Sequence, residues 1–89
     1  MSAPTEHVPG TDRIDELRQQ IDAVDGQLLD LVARRIALSR EVGALRMATG
    51  GTRLSLGREQ AIMTRFAATL GPDGTALAML LLRAGRGRL

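Results

Sequence analysis

A chain of 89 residues supports one domain and, on its own, only a modest core. Apolar residues at 44% and charged residues at 25% mark it as globular, and with Phe66 as the only aromatic residue that core must be aliphatic. All twelve basic residues are arginine, and a net charge of +2 is too small a surplus for a dedicated nucleic-acid binder. The absence of cysteine and lysine excludes disulfides, thiolate metal sites, thiol nucleophiles, Schiff bases and a P-loop lysine.

In chain order, the head MSAPTEHVPG carries Pro and Gly and holds His7, the only histidine, so residues 1–12 read as a disordered tail and His7 as a poor candidate for a catalytic base. No apolar run reaches about 18 residues and no leader precedes the first element, which points to a soluble cytoplasmic protein without a membrane partner. From Ile14 onward, apolar residues recur in heptad rhythm as Ile14, Leu17, Ile21, Val24, Leu28 and Leu31, then Leu38, Val42 and Leu45. This predicts a helix over residues 14–48, with Thr11 or Asp12 as N-cap and Gly50-Gly51 as its stop. Such a helix is about 52 Å long, whereas a compact domain of this size is only about 30 Å across. It therefore needs a second long helix, and a homodimer is the economical source.

A loop, GGTRLSLG, leads to a second helix over residues 58–70 with Ile62, Met63, Phe66 and Leu70 on one face. The Gly71-Pro72-Asp73-Gly74 stretch reads as a turn. A third helix over residues 75–84, TALAMLLLRA, is apolar nearly all round and should be buried between other elements. The tail GRGRL closes the chain. No strand pattern and no repeat is present, so the fold class is all-α, with one long and two short helices in a single domain over residues 13–89.

The charges are less ordinary than the pattern. Arg35 stands on the seam where a leucine belongs, and Arg18 and Arg46 follow seam residues Leu17 and Leu45. One at a time, these are register devices or side chains reaching outward to water. Antiparallel pairing of two long helices about residue 31 changes this: residue 18 of one subunit comes level with about residue 44 of the other, so Arg18 approaches Arg46 of the partner subunit, with Arg35 further along the same helix. Guanidinium groups gathered at an apolar interface require an anion. Glu59 lies on the inward stripe of the second helix, at spacings of 3, 4, 7 and 11 from its apolar residues, and Arg58 flanks it in a first turn that itself favours anions. Four arginines and one carboxylate suit a small polyanion bearing a hydroxyl group.

The segments IDELRQQIDAVDGQLLDLVARR and EVGALR, the loop GGTRL followed by RE, and the terminal GPDG and LLLRAGRGRL together resemble the all-helical chorismate mutases, in particular the short actinobacterial type, over about residues 14–89. The resemblance implies an intertwined all-α homodimer with antiparallel long helices that converts chorismate to prephenate in phenylalanine and tyrosine biosynthesis, without cofactor or metal. It implies that Arg18 of the partner subunit, Arg35 and Arg58 hold the substrate carboxylates, that Arg46 faces the ether oxygen, and that Glu59 accepts a hydrogen bond from the substrate hydroxyl. Thr52 and Ser55 would line the pocket, although a better-known branch of the family has aspartate at the Ser55 position. Many members also place a glutamine or glutamate of the last helix beside the ether oxygen, and AMLLLRAGRGRL has neither. The short relatives share this lack and resemble enzymes that are weak alone and activated by complex formation with a DAHP synthase. Gly85, Arg86, Gly87 and Arg88 would then form a tail that is mobile in the free enzyme and ordered by that partner. The rival expectation is a non-catalytic helical dimerisation module whose arginines contact anions or nucleic acid, with binding that weakens steeply with salt.

Overall fold

The computed structural model describes residues 9–51 and 55–87, and for Pro9 the backbone only. These form three α-helices, α1 (Pro9–Ala48), α2 (Leu56–Leu70) and α3 (Pro72–Arg86), with no strand among the described residues. The chain divides into two compact units, residues 1–31 and 32–89.

The first unit, as described, is the N-terminal part of α1. The helix starts at Pro9, so residues 9–12, expected in a disordered tail, are helical, and Thr11 and Asp12 lie inside the helix rather than capping it. The physical reason is that proline in a first helical turn has its φ already set and gives up only an N–H that would have no intrahelical acceptor. Asp12 adds a negative charge where the helix dipole favours one. Arg13 and Glu16 pair at 3.2 Å on the exposed surface, which adds little stability. Along this unit Ile14, Leu17, Ile21, Val24, Leu28 and Leu31 form a stripe that is 40% to 60% exposed.

In the second unit α1 ends in a Schellman motif. Gly50 takes φ 83°, the Gly51 N–H donates to the Arg46 carbonyl at 2.7 Å and the Gly50 N–H to that of Met47 at 3.2 Å. The hydroxyl of Thr49 donates to the carbonyls of Leu45 and Arg46. Two faces of this half of α1 separate. Val32, Arg35, Ile36, Ser39, Gly43 and Arg46, spaced by threes and fours, are partly covered, whereas the seam residues Leu38, Val42 and Leu45 stay more than half exposed. Arg35 interrupts the heptad because it also belongs to the covered face.

The α2–α3 connection is shorter than the turn expected over residues 71–74. Gly71 alone makes it, at φ 69° and ψ −147°, a region open essentially to glycine, with its N–H on the Ala67 carbonyl at 2.7 Å. Pro72 already begins α3, again as proline in a first turn. The helices then approach so closely that a side chain at Gly74 would run into the Phe66 carbonyl. Only one face of α3 is buried in the chain, through Gly74, Ala78, Leu82 and Gly85; Met79 and Leu80, expected inside, are 57% and 53% exposed.

α3 also continues past its expected end at residue 84. Gly85 is buried against Ser39 of α1, Arg86 completes the last turn, and Gly87 caps it at φ 68° with its N–H on the Arg83 carbonyl. At the other end of the pair α2 begins at Leu56, two residues earlier than expected.

Candidate active site

Three helix segments of the second unit enclose a cleft of about 860 Å³, within the range of small-molecule sites. α1 contributes Arg35, Arg40 and Arg46, the start of α2 contributes Ser55, Arg58 and Glu59, and the end of α3 contributes Gly85, Arg86 and Gly87. Leu38, Val42, Met47, Ile62 and Leu82 supply an apolar wall.

The local folding of each element explains these placements. Arg35 and Arg46 lie eleven residues apart, three helical turns, on the covered face of α1. Ser55 is the N-cap residue of α2, in extended conformation at φ −122° and ψ 101°, and its carbonyl accepts the Glu59 N–H at 3.0 Å. Its hydroxyl makes no capping bond, and the residue lines the cleft. Arg58 and Glu59 lie in the first turn of α2, where unpaired backbone N–H groups add positive potential.

Among the described residues, five arginines and one carboxylate line the cleft. Glu59 accepts a hydrogen bond from Nη1 of Arg86 at 3.2 Å, with side chains 16% and 26% exposed. Among the described residues, Arg35, Arg40, Arg46 and Arg58 have no carboxylate partner within ion-pair distance. The cleft is therefore a preformed concentration of positive charge with an apolar side, suited to a compact organic polyanion.

Of the residues singled out in the sequence, Arg35, Arg46, Ser55, Arg58, Glu59, Gly85, Arg86 and Gly87 come together on this cleft. Arg18 is exposed in the first unit and is not among its lining residues. Thr52, Arg88 and His7 lie outside the described residues. Arg40 was missed, although its spacing of four from Ile36 and three from Gly43 puts it beside the covered stripe. The Arg86–Glu59 pair was missed as well, and no local pattern announces it, because it joins residues 27 apart. Among the described residues no cluster of His, Cys, Asp or Glu could hold a metal ion, and no helix is long and apolar enough to cross a membrane.

Residues 17–79 match the family model described as chorismate mutase type II. The intracellular chorismate mutase of Mycolicibacterium smegmatis is 47% identical over 87 residues, which cover 93% of this chain and 84% of that protein. The intracellular chorismate mutase of Mycobacterium tuberculosis is 54% identical over 76 residues, 85% of this chain and 71% of that protein. Among solved structures, a non-covalent complex of DAHP synthase and chorismate mutase from Corynebacterium glutamicum, with a bound transition state analog, contains a chain 44% identical to this one. The two superimpose with a TM-score of 0.85 over 90% of this chain and 96% of that chain.

Proposed function

The chain belongs to the chorismate mutase type II family, and we propose that it catalyses the rearrangement of chorismate to prephenate as a cytoplasmic homodimer activated by a DAHP synthase. The observation that carries the proposal is the convergence of Arg35, Arg46, Arg58 and Glu59 on one cleft.

The reaction breaks a C–O bond and forms a C–C bond within one molecule. It needs neither proton transfer nor a covalent intermediate, which suits a cleft built from arginines. Two tasks remain. The flexible dianion must be held in a compact conformation with its reacting carbons near each other. The negative charge that grows on the ether oxygen must meet a fixed positive group. Arg35 and Arg58 hold the two carboxylates, each through the planar fork that matches a carboxylate. Arg46 faces the ether oxygen. Glu59 accepts a hydrogen bond from the ring hydroxyl and thereby fixes the orientation of the ring. Ser55 lines the wall with its hydroxyl, which makes no capping bond, and Thr52, outside the described residues, is assigned to the same pocket by the family resemblance.

Arg18 comes from the partner subunit. Support for the dimer is the stripe from Ile14 to Leu31, continued by Leu38, Val42 and Leu45, which a lone chain leaves exposed. An apolar stripe of this length on a heptad is the face of a helix pair. The DAHP synthase partner is supported by the solved complex of a relative 44% identical to this chain. In this reading Gly85, Arg86 and Gly87, which end α3 at the cleft rather than forming the mobile tail expected from the sequence, transmit the partner's effect, and Arg88, outside the described residues, acts with them.

The test is the disappearance of chorismate with purified full-length protein, alone and with a DAHP synthase. Conversion to prephenate, faster with the partner, is expected. A folded dimer that leaves chorismate untouched under both conditions would overturn the assignment.

A further inference from the structure

We infer that Arg86 is a positioning residue for Glu59: its ion pair holds this carboxylate, the only one lining the cleft among the described residues, away from Arg35, Arg40, Arg46 and Arg58 and aims it at the substrate hydroxyl. The inference rests on the proposal that Glu59 receives that hydroxyl.

A glutamate in this cleft has a competition problem. Arg58 is its chain neighbour, and Arg35, Arg40 and Arg46 line the same space. A flexible Glu59 drawn to any of these would neutralise a cation meant for the substrate and leave the hydroxyl without an acceptor. The structure resolves the competition in favour of Arg86, whose Nη1 donates to Oε1 at 3.2 Å. Both side chains are largely shielded, at 26% and 16% exposure, so water weakens the pair less than it does a surface pair. A carboxylate offers acceptor sites on both oxygens. Among the described residues Oε2 accepts no hydrogen bond, so it stays available to the substrate.

Arg86 is itself held. Gly85, the residue before it, is buried against Ser39 of α1, and Gly87, the residue after it, ends the helix in a conformation reserved for glycine. The last turn of α3 is thus fixed to α1 on one side and stopped on the other. An arginine there reaches across to α2 from a rigid base, as a group that orients another side chain must.

The experiment is steady-state chorismate kinetics on the full-length chain carrying Arg86→Ala, Arg86→Gln or Arg86→Lys, each alone and combined with Glu59→Gln. Helicity and oligomeric state are checked in parallel. Arg86→Ala should lower kcat by roughly 10- to 100-fold, the scale of a misplaced reacting geometry, with KM changed less than kcat. Arg86→Lys should restore much of the loss. In the Glu59→Gln background, Arg86→Ala should add little, because the group it positions is already gone. Where Arg86→Ala loses helicity, Arg86→Gln carries the same comparison. Multiplicative losses, a KM effect that persists in the Glu59→Gln background, or a gain in activity would each overturn the inference while leaving the role of Glu59 intact. Parental activity in Glu59→Gln alone would overturn that role and the inference together.

Discussion

Gly85 of α3 packs so closely on Ser39 of α1 that a β-carbon at residue 85 would lie 2.5 Å from the Ser39 hydroxyl oxygen and 2.8 Å from its Cβ. The second distance decides the outcome of a substitution, because rotating the hydroxyl does not move the Cβ. Gly85→Ala gains about 1 kcal/mol of helix propensity but must push the two helices apart, which costs about 1–3 kcal/mol in a packed contact. Net destabilisation of about 1 kcal/mol is expected by thermal or urea unfolding. Ser39→Gly, which removes the obstructing Cβ, should recover part of it in the double variant.

Gly74 makes the corresponding contact between α3 and α2, against a backbone carbonyl rather than a side chain. The Phe66 carbonyl has no rotamer to retreat to. Gly74→Ala should therefore destabilise by more than Gly85→Ala does, about 2–3 kcal/mol on the same unfolding assay. An equal or smaller effect would mean that α2 and α3 adjust as whole helices.

These two glycines show where the sequence could and could not be read. The heptad from Ile14 to Leu45, the all-α class and the oddity of Arg35 follow from periodicity, since an α-helix repeats on a scale that a linear pattern records, and the stop at Gly50-Gly51 follows from the positive φ that glycine takes at a helix end. The misplaced element ends share one cause, which is that Pro and Gly mark a boundary in sequence without saying on which side of them the helix lies. Pro9 and Pro72 instead begin helices, and Gly74 and Gly85 lie inside α3 because neighbouring helices leave no room for a side chain. That requirement is tertiary and has no local signature. The same holds for the site. Arg35, Arg46, Arg58 and Glu59 could be singled out by their places on helix faces, whereas Arg40 as a lining residue and Arg86 as the partner of Glu59 become visible only when α1, α2 and α3 are assembled.

Arg35 and Arg34 are neighbours with different duties. Arg35 is partly covered and lines the cleft, while Arg34 is exposed and does not. Arg35→Ala should lower kcat/KM by about 10²–10³, the scale of losing one preorganised charged donor, whereas Arg34→Ala should stay within a fewfold of the parent. Arg46→Lys, which retains a cation at the position proposed to face the ether oxygen, should keep measurable activity that Arg46→Ala loses. The check is initial rates of chorismate consumption at matched protein concentration.

The exposed stripe of the first unit supplies a separate test of the dimer. Ile21 is 57% exposed in the single chain, so Ile21→Glu would be close to neutral for a monomer. In a paired helix it would bury an unpartnered charge and destabilise by about 3–5 kcal/mol. Sedimentation equilibrium should show dissociation, with chorismate turnover lost in proportion. A stable, active dimer of this variant would place the subunit contact elsewhere.

In the proposed dimer each site draws Arg35 from one subunit and Arg18 from the other. Refolding an equal mixture of Arg18→Ala and Arg35→Ala chains tests it by a single rate measurement. Each variant alone should be nearly inactive. In the mixture, half of the randomly assembled dimers combine the two chains and each of these holds one intact site, so about a quarter of the parental rate should return. A mixture no more active than its separate components would contradict a site shared between subunits.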